Sequence, residues 1–366
     1  MTRQDPRAAL SGARRVIVKV GSHALSRDPE LPRAIAEQIA DLRKQKRSFV
    51  VVTSGAIALG CHRLGFRSRP KEMAKLQAAA SAGQVVLMRS WDDAFGAAGL
   101  TGAQVLLTHS DLADRERLNN AREALAALLE AGAVPIVNEN DTVATDEIRF
   151  GDNDQLAAMV APLVGADLVI LLTDVEGVLD DRGKRISVMT PEHVIGTVKK
   201  RAASVGSGGM QSKLDAAGKG RRAGATVVVA SAFHPEVVRA VLGAEDVGTL
   251  FPRTAEPLRA RKHWIAFTLR PRGTVILDEG AVRAIAGGKS SLLPVGVLGI
   301  RGQFNPGDSV RLVGADGVEL GRGLARLGAV DVARAAGKRG PELELLFGAA
   351  ARDLVIVHKD DLVLAT

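Results

Sequence analysis

Short runs of β-branched and other apolar residues alternate with amphipathic stretches over residues 14–252. In one such stretch Ile35, Ile39 and Leu42 recur at i, i+4 and i+7, which places three apolar side chains on one face of a helix. Strands that alternate with helices predict a doubly wound α/β sheet, with ligands at the carboxyl ends of its strands. The predicted strands lie at 16–18, 49–52, 105–107, 134–137, 168–172 and 226–229.

The pattern changes after Pro252. A basic segment that contains a proline, residues 253–263, predicts a linker, and closely spaced Gly, Pro and Asp turns follow it. One helix is predicted at 279–286 in this part of the chain. We therefore expect a first domain over 1–252 and a small β-rich, barrel-like domain over 264–366. The apolar runs that predict strands in the second domain are 274–277, 309–313 and 354–357.

The apolar content and the single cysteine limit which classes of protein the chain can belong to. The chain has 366 residues, 46% of them apolar, which is enough for a sizeable core. Cys61 is the only cysteine, which excludes an internal disulfide, a thiolate-rich metal site and paired-thiol redox chemistry. The start of the chain has an acid and a proline where a secretion signal needs an apolar block, and no run approaches the ~18 apolar residues of a membrane span. We therefore expect a cytoplasmic protein without a membrane partner.

The charge is positive and unevenly distributed. The formal net charge is +8 and the pI is about 9.9. Residues 253–366 contain 17 basic and 12 acidic side chains, so the last third is the more basic part. This balance favours anionic partners such as nucleotides or nucleic acid.

A lysine ends the first predicted strand and stands two residues before a glycine. Lys19 would be costly to bury without a partner, and Gly21 would let a phosphate approach the backbone. We predict that Lys19 faces an anion. The alternative is a lysine that extends from the strand end into solvent.

A Ser-Gly turn follows the second predicted strand and opens a helix that we expect to end near Gly60. The Ser54 hydroxyl and the free N–H groups of a helix start favour a carboxylate or a phosphate. Ser54 is therefore a candidate ligand of an anionic substrate. The alternative is an ordinary helix N-cap.

Two clusters of amide and carboxylate side chains, at 138–141 and 151–154, come after the fourth predicted strand. Such groups suit a small zwitterion, because Asp141 accepts from an ammonium and Asn153 can donate to a carboxylate. Asp154 has an alternative role as the N-cap of the helix that follows.

Two further turns could hold a nucleotide. Thr173 and Asp174 form a polar turn after the fifth predicted strand, and a glycine-rich loop precedes a helix that carries Lys213 in its first turn. Backbone N–H groups, the helix dipole and this lysine all favour a phosphate, although the loop matches neither the Rossmann nor the Walker pattern. The seven histidines have no metal-ligand spacing, which favours chemistry without a metal-binding or basic histidine.

These motifs occur in one order along the chain, and together they resemble the amino acid kinase superfamily. Within it the chain is similar to the bacterial glutamate 5-kinases, which carry a carboxyl-terminal PUA domain. The resemblance implies a three-layer αβα sandwich with a mainly parallel sheet, followed by a small β-rich PUA barrel. The matching segments are VIVKVGS at 16–22, VVTSGAIALG at 51–60, LTHSDLADRERLNNAR at 107–122, PIVNENDTVATDEI at 135–148, FGDNDQLAAMVA at 150–161, LLTDVEGV at 171–178 and SGGMQSKLDAA at 207–217.

The resemblance implies ATP-dependent phosphorylation of the side-chain carboxylate of L-glutamate to L-glutamyl 5-phosphate, the first step of proline biosynthesis. It implies that Lys19 and Lys213 stabilise the transferring phosphoryl group, that Asp154 orients both lysines, and that Mg²⁺ is held largely by ATP phosphates and water rather than by protein ligands. The implied glutamate-binding residues are Ser54, Asp141 and Asn153. The implied nucleotide-binding residues are Lys19, Thr173, Asp174, Ser207, Gly208, Gly209, Met210, Gln211, Ser212 and Lys213.

The resemblance also bears on partners. It implies a homo-oligomer, glutamyl phosphate reductase as a candidate partner and proline as a candidate feedback inhibitor, and it leaves RNA binding by the PUA-like domain open. Two alternatives stay open as well. One is another member of the superfamily, acting on aspartate, N-acetylglutamate, carbamate or UMP. The other is an RNA-binding protein whose kinase-like half is structural.

Overall fold

The structure, a computed structural model, describes residues 5–144, 153–189 and 208–365. The chain divides into two compact units, Met1–Pro257 and Leu258–Thr366. The linker predicted at 253–263 spans this division and stays a prediction.

Seven strands form one sheet in the first unit, in the order β3-β4-β2-β1-β5-β6-β7. All neighbouring pairs are parallel except β6 and β7, which are antiparallel. The six predicted apolar runs are β1 to β6, so the mainly parallel α/β sheet is confirmed. The strands are β1 Arg15–Lys19, β2 Ser48–Val52, β3 Gly102–Leu107, β4 Val134–Glu139, β5 Leu168–Thr173, β6 Thr226–Ser231 and β7 Thr249–Phe251.

Successive side chains of each strand point to opposite faces of the sheet. Both faces are apolar, and helices cover both of them. In β1, Val16 and Val18 belong to one buried apolar cluster and Ile17 belongs to the other. The described helices of this unit are α1 Ser22–Arg27, α2 Leu31–Arg43, α3 Ala56–Arg63, α4 Met73–Ala97, α5 His109–Ala113, α6 Arg115–Glu130, α7 Asn153–Val164, α8 Gly208–Arg222 and α9 Val237–Leu242.

The order of the strands creates a switch point beside β1. From β1 the chain moves to one side through β2, β3 and β4, and then crosses to the other side of β1 with β5 and β6. At such a point the connections leave in opposite directions and open a crevice beyond the carboxyl ends of the strands. The carboxyl ends of β1 and β5 therefore define where a ligand should bind.

Two glycines bring α3 and α4 into close contact. A Cβ atom at Gly60 would lie 1.6 Å from the backbone oxygen of Ala79, and one at Gly83 would lie 1.7 Å from that of Ala56. The expectation that α3 ends near Gly60 is therefore wrong. The helix continues to Arg63, and Gly60 serves packing between helices rather than helix termination.

The second unit contains a five-stranded sheet in the order β12-β11-β10-β8-β9, in which β8 and β10 are parallel and the other pairs antiparallel. The predicted helix at 279–286 is confirmed. The strand predicted at 354–357 is wrong except for its last residue, because the real strand contains the charged segment His358–Asp361, which hides it from an apolar pattern. The elements are α10 Ala260–His263, β8 Gly273–Leu277, α11 Glu279–Ala286, β9 Val297–Gly302, β10 Ser309–Gly314, β11 Glu319–Ala325, α12 Ala329–Ala335, α13 Gly340–Phe347 and β12 Val357–Leu364.

Across the three described stretches, no helix combines the length and the apolar character needed to cross a membrane.

The close approach of α3 and α4 can be tested by adding one methyl group. We expect Gly60→Ala to lower the free energy of unfolding by at least about 1–3 kcal/mol, because the new Cβ meets backbone rather than a flexible side chain. Gly96→Ala is the matched control, since Gly96 lies in α4 with no atom within 4 Å of an added Cβ. This control should gain about 0.5–1 kcal/mol from lost backbone freedom of the unfolded chain. Urea unfolding followed by circular dichroism measures both, and equal midpoints would contradict the packing argument.

Candidate active site

The carboxyl ends of four parallel strands bring distant parts of the sequence to one edge of the sheet. Lys19 is the last residue of β1 and Thr173 is the last residue of β5. Ser54 follows β2 by two residues, and Asp141 follows β4 by two. The start of α7 adds a further pair of predicted residues beside them.

A buried cluster of three charges lies at the centre of this edge. The Lys19 Nζ atom is 2.7 Å from Asp154 Oδ1, and the Lys213 Nζ atom is 2.8 Å from Asp154 Oδ2. The side chains of Lys19, Lys213 and Asp154 are 7%, 10% and 4% exposed. The structure therefore brings together all three predicted catalytic residues, from β1, α7 and α8.

The positive charges of these three side chains outnumber the negative one. Two ammonium groups face one carboxylate, in a place where water cannot screen charge well. Gly21 adds open backbone next to it, since a Cβ atom at Gly21 would lie 3.7 Å from Lys19 Nζ. The arrangement fits an anion that approaches Lys19. Neither alternative from the sequence holds, because Lys19 does not extend into solvent and the Asp154 carboxylate binds two lysines instead of capping α7.

The side chain of Asn153, next to Asp154 in α7, supports the turn that follows β2. Its Nδ2 atom lies 2.5 Å from the Thr53 backbone oxygen, 2.9 Å from Ser54 Oγ and 2.8 Å from Asn138 Oδ1. These protein oxygens engage the amide hydrogens of Asn153, and its donation to a substrate carboxylate stays a prediction. Ser54 Oγ accepts from Asn153 and still has its own hydrogen to donate.

A pocket of about 450 Å³, partly open to solvent, lies against this turn. It contains all three predicted substrate-binding residues, Ser54, Asp141 and Asn153. Sequence reasoning missed Arg69, which lies in the connection between α3 and α4, because nothing in the local pattern distinguishes it from other surface arginines. The residues that line the pocket are Ser22, Ser54, Gly55, Ala56, Ile57, Ala58, Arg69, Asn138, Glu139, Asp141 and Asn153.

The Asp141 carboxyl group is electrostatically perturbed. Burial raises its pKa to about 6, while the nearby Arg69 guanidinium acts in the opposite direction. A carboxylate that is partly buried without a full counter-charge is prepared to accept a cation. A substrate ammonium would supply that charge.

The predicted nucleotide-binding residues outside the lysine cluster lie at the carboxyl end of β5 and at the start of α8. Thr173 Oγ1 donates to Asp174 Oδ1 at 3.1 Å, and His23 Nδ1 is 3.8 Å from Asp174 Oδ2. Met210 packs against the apolar cluster under α8. Gln211 Nε2 donates to Asp215 within the same helix at 2.9 Å.

The second turn of α8 is tied to α7, because Gln155 Nε2 donates to the backbone oxygen of Ser212 at 3.0 Å. The helix begins at Gly208, so the expectation that Gly208 and Gly209 lie in a loop before it is wrong, and Lys213 lies in its second turn instead of its first. The N–H groups at the start of a helix favour an anion. The predicted residue Ser207 lies outside the described residues.

Comparisons with known proteins identify the family of the chain. The sequence model of the Amino acid kinase family matches residues 14–231, and that of the PUA domain matches residues 273–345. The chain is 43% identical to the glutamate 5-kinase of Pseudomonas entomophila, over 98% of this chain and 100% of that one. It is 44% identical to the glutamate 5-kinases of Myxococcus xanthus, over 97% of both chains, and of Thermus thermophilus, over 96% of this chain and 97% of that one.

Among solved structures, a carbamate kinase from Giardia lamblia bound to AMP-PNP is similar, with a TM-score of 0.49 and 13% identity, over 67% of this chain and all of that one. The sequence model of the first domain covers more than half of the chain, and relatives above 40% identity cover nearly all of it. The chain therefore belongs to the amino acid kinase family.

Proposed function

We propose that the protein transfers the γ-phosphoryl group of ATP to the side-chain carboxylate of L-glutamate, forming L-glutamyl 5-phosphate in the first step of proline biosynthesis. The observation that carries this proposal is the buried Lys19–Asp154–Lys213 cluster, which adjoins a pocket lined by Asp141. The names of relatives at 42–44% identity support the choice of glutamate as acceptor.

The pocket suits the acceptor. Asp141 would accept from the α-ammonium group, and the Ser54 hydroxyl would donate to the side-chain carboxylate. The start of α3 contributes backbone N–H groups, which favour the same carboxylate. A carboxylate held there would lie beside the lysine cluster, because Asn153 and Asp154 are consecutive residues of α7.

The lysine cluster has the charge needed to stabilise the transferring phosphoryl group. Lys19 and Lys213 would neutralise the charge that spreads over the transferring oxygens, and Asp154 would position both ammonium groups rather than act as a base. No group of three His, Cys, Asp or Glu side chains within the described residues could hold a metal ion. Mg²⁺ would therefore bind mainly through the phosphates of ATP and water, and it supplies charge neutralisation there.

The bond changes need no proton transfer. A side-chain oxygen of glutamate forms a bond to the γ-phosphorus while the bond from that phosphorus to the ADP oxygen breaks. The acceptor is already ionised at neutral pH, so catalysis reduces to alignment and charge stabilisation. The Asp154 carboxylate, which is bound to two lysines, is therefore not needed as a base.

The acceptor is tested by trapping the acyl phosphate product with hydroxylamine. We expect ATP-dependent hydroxamate with L-glutamate and much slower formation with L-aspartate, N-acetyl-L-glutamate or bicarbonate plus ammonia. ADP release in the same reactions, together with an assay for UDP when UMP is offered, checks acceptors that form no hydroxamate. Equal or faster turnover of any other acceptor would overturn the choice of glutamate.

The two lysines are tested by truncation. Lys19→Ala and Lys213→Ala should each lower kcat by roughly 10²-fold or more, because each removes one charge that stabilises the transition state. Lys44→Ala is the control, since Lys44 is an exposed lysine just after α2 whose ammonium group pairs with Asp41 on the surface. Near-normal kcat in either active-site variant would remove that lysine from the mechanism.

The pKa of Asp141 predicts how binding depends on pH. As the pH falls through about 6, Asp141 takes up a proton and loses the charge that attracts the ammonium group, so the KM for glutamate should rise. Between pH 5 and 8 the amino group of glutamate stays charged, which leaves Asp141 as the source of the change. Asp141→Asn should have a high KM throughout this range. A wild-type KM that is flat from pH 5 to 8 would contradict the role of Asp141.

A further inference from the structure

The described residues that line the pocket include more acidic than basic side chains. Glu139 and Asp141 are acidic, and among the lining residues that the structure describes Arg69 is the basic one. Among the lining residues that the structure describes, the side chain that could meet an anionic group of a ligand with a full positive charge is therefore Arg69.

Glutamate brings two carboxylates and one ammonium group. The side-chain carboxylate must face the lysine cluster for transfer, which leaves the α-carboxylate and the α-ammonium at the far end of the molecule. Both of these groups are attached to one carbon atom, so a matching site needs an anion and a cation next to each other.

Asp141 and Arg69 form such a pair. They line the same pocket, and they are close enough that the guanidinium affects the ionisation of the carboxyl group. The guanidinium of arginine also matches the planar geometry of a carboxylate, with two N–H groups available for its two oxygens.

We propose that Arg69 binds the α-carboxylate of the amino acid acceptor and, together with Asp141, selects an acceptor that carries both α-groups. This assignment rests on the proposed function and adds a specificity-determining residue to it. Arg69 lies in the connection between α3 and α4, whose ends are held by the close contact at Gly60 and Gly83. Pro70 follows it directly and restricts the backbone at this point.

The experiment compares Arg69→Gln with Arg67→Gln in the full chain. Arg67 is exposed in the same connection and does not line the pocket, so it matches Arg69 in charge and local structure. We expect Arg69→Gln to raise the KM for L-glutamate about 10- to 100-fold with kcat changed by no more than about threefold. Arg67→Gln should leave both values unchanged, and Arg69→Lys should give an intermediate KM.

Two further measurements separate direct binding from an effect through Asp141. At pH 8, where Asp141 is ionised with or without its neighbour, the increase in KM should persist. The inhibition constant of 4-aminobutyrate, which lacks the α-carboxylate, should be the same for wild type and Arg69→Gln. An unchanged KM for glutamate, an increase that disappears at pH 8, or an equal loss of affinity for 4-aminobutyrate would each overturn the assignment.

These outcomes are distinct from failure of the proposed function. If the wild-type protein forms glutamyl phosphate and Arg69→Gln has a normal KM, only the role of Arg69 is wrong. If the wild-type protein forms no acyl phosphate from glutamate, the proposed function is wrong and the assignment of Arg69 falls with it.

Discussion

Two ammonium groups that share one buried carboxylate are the constraint on which the rest of the site depends. Such a group of charges is costly to remove from water, and it persists only where the surrounding backbone holds all three side chains in place. In this protein β1 must end at Lys19, α7 must begin at Asn153, and the second turn of α8 must approach α7. Within this group of three side chains the positive charges outnumber the negative one, which favours a bound anion, so an arrangement that is costly for the folded chain is useful for a transfer reaction.

The sheet explains how residues almost two hundred positions apart meet. Each parallel strand returns the chain to the same edge, and the reversal of strand order beside β1 leaves room there for ligands. Apolar side chains fill both faces of the sheet, and the polar groups of the site collect beyond the carboxyl ends of its strands. Residues after β2 and β4 line the pocket. Residues at the end of β5 and at the start of α8 are the ones for which we predict contacts with the nucleotide.

Much of this could be predicted from the sequence, because apolar runs mark buried strands and polar residues just after them mark the functional edge. Lys19, Ser54 and Asp141 are predicted in that way, and the structure places them at this edge. The prediction for Gly60 is wrong, since a glycine that permits contact between helices looks the same in sequence as one that ends a helix. No pattern in the sequence marks Arg69 as a pocket residue, because its position beside the pocket follows from how α3 and α4 pack. The hydrogen bonds of Asn153 depend on which protein oxygens surround it, and no spacing rule supplies that information.

The first turn of α7 carries two neighbouring residues that serve opposite sides of the reaction. Asn153 donates a hydrogen bond to Ser54 in the acceptor pocket, and Asp154 binds the two lysines that would contact the phosphoryl group of ATP. Because the two residues are consecutive in one helix, a change in the position of the start of α7 would alter the acceptor pocket and the lysine cluster at the same time.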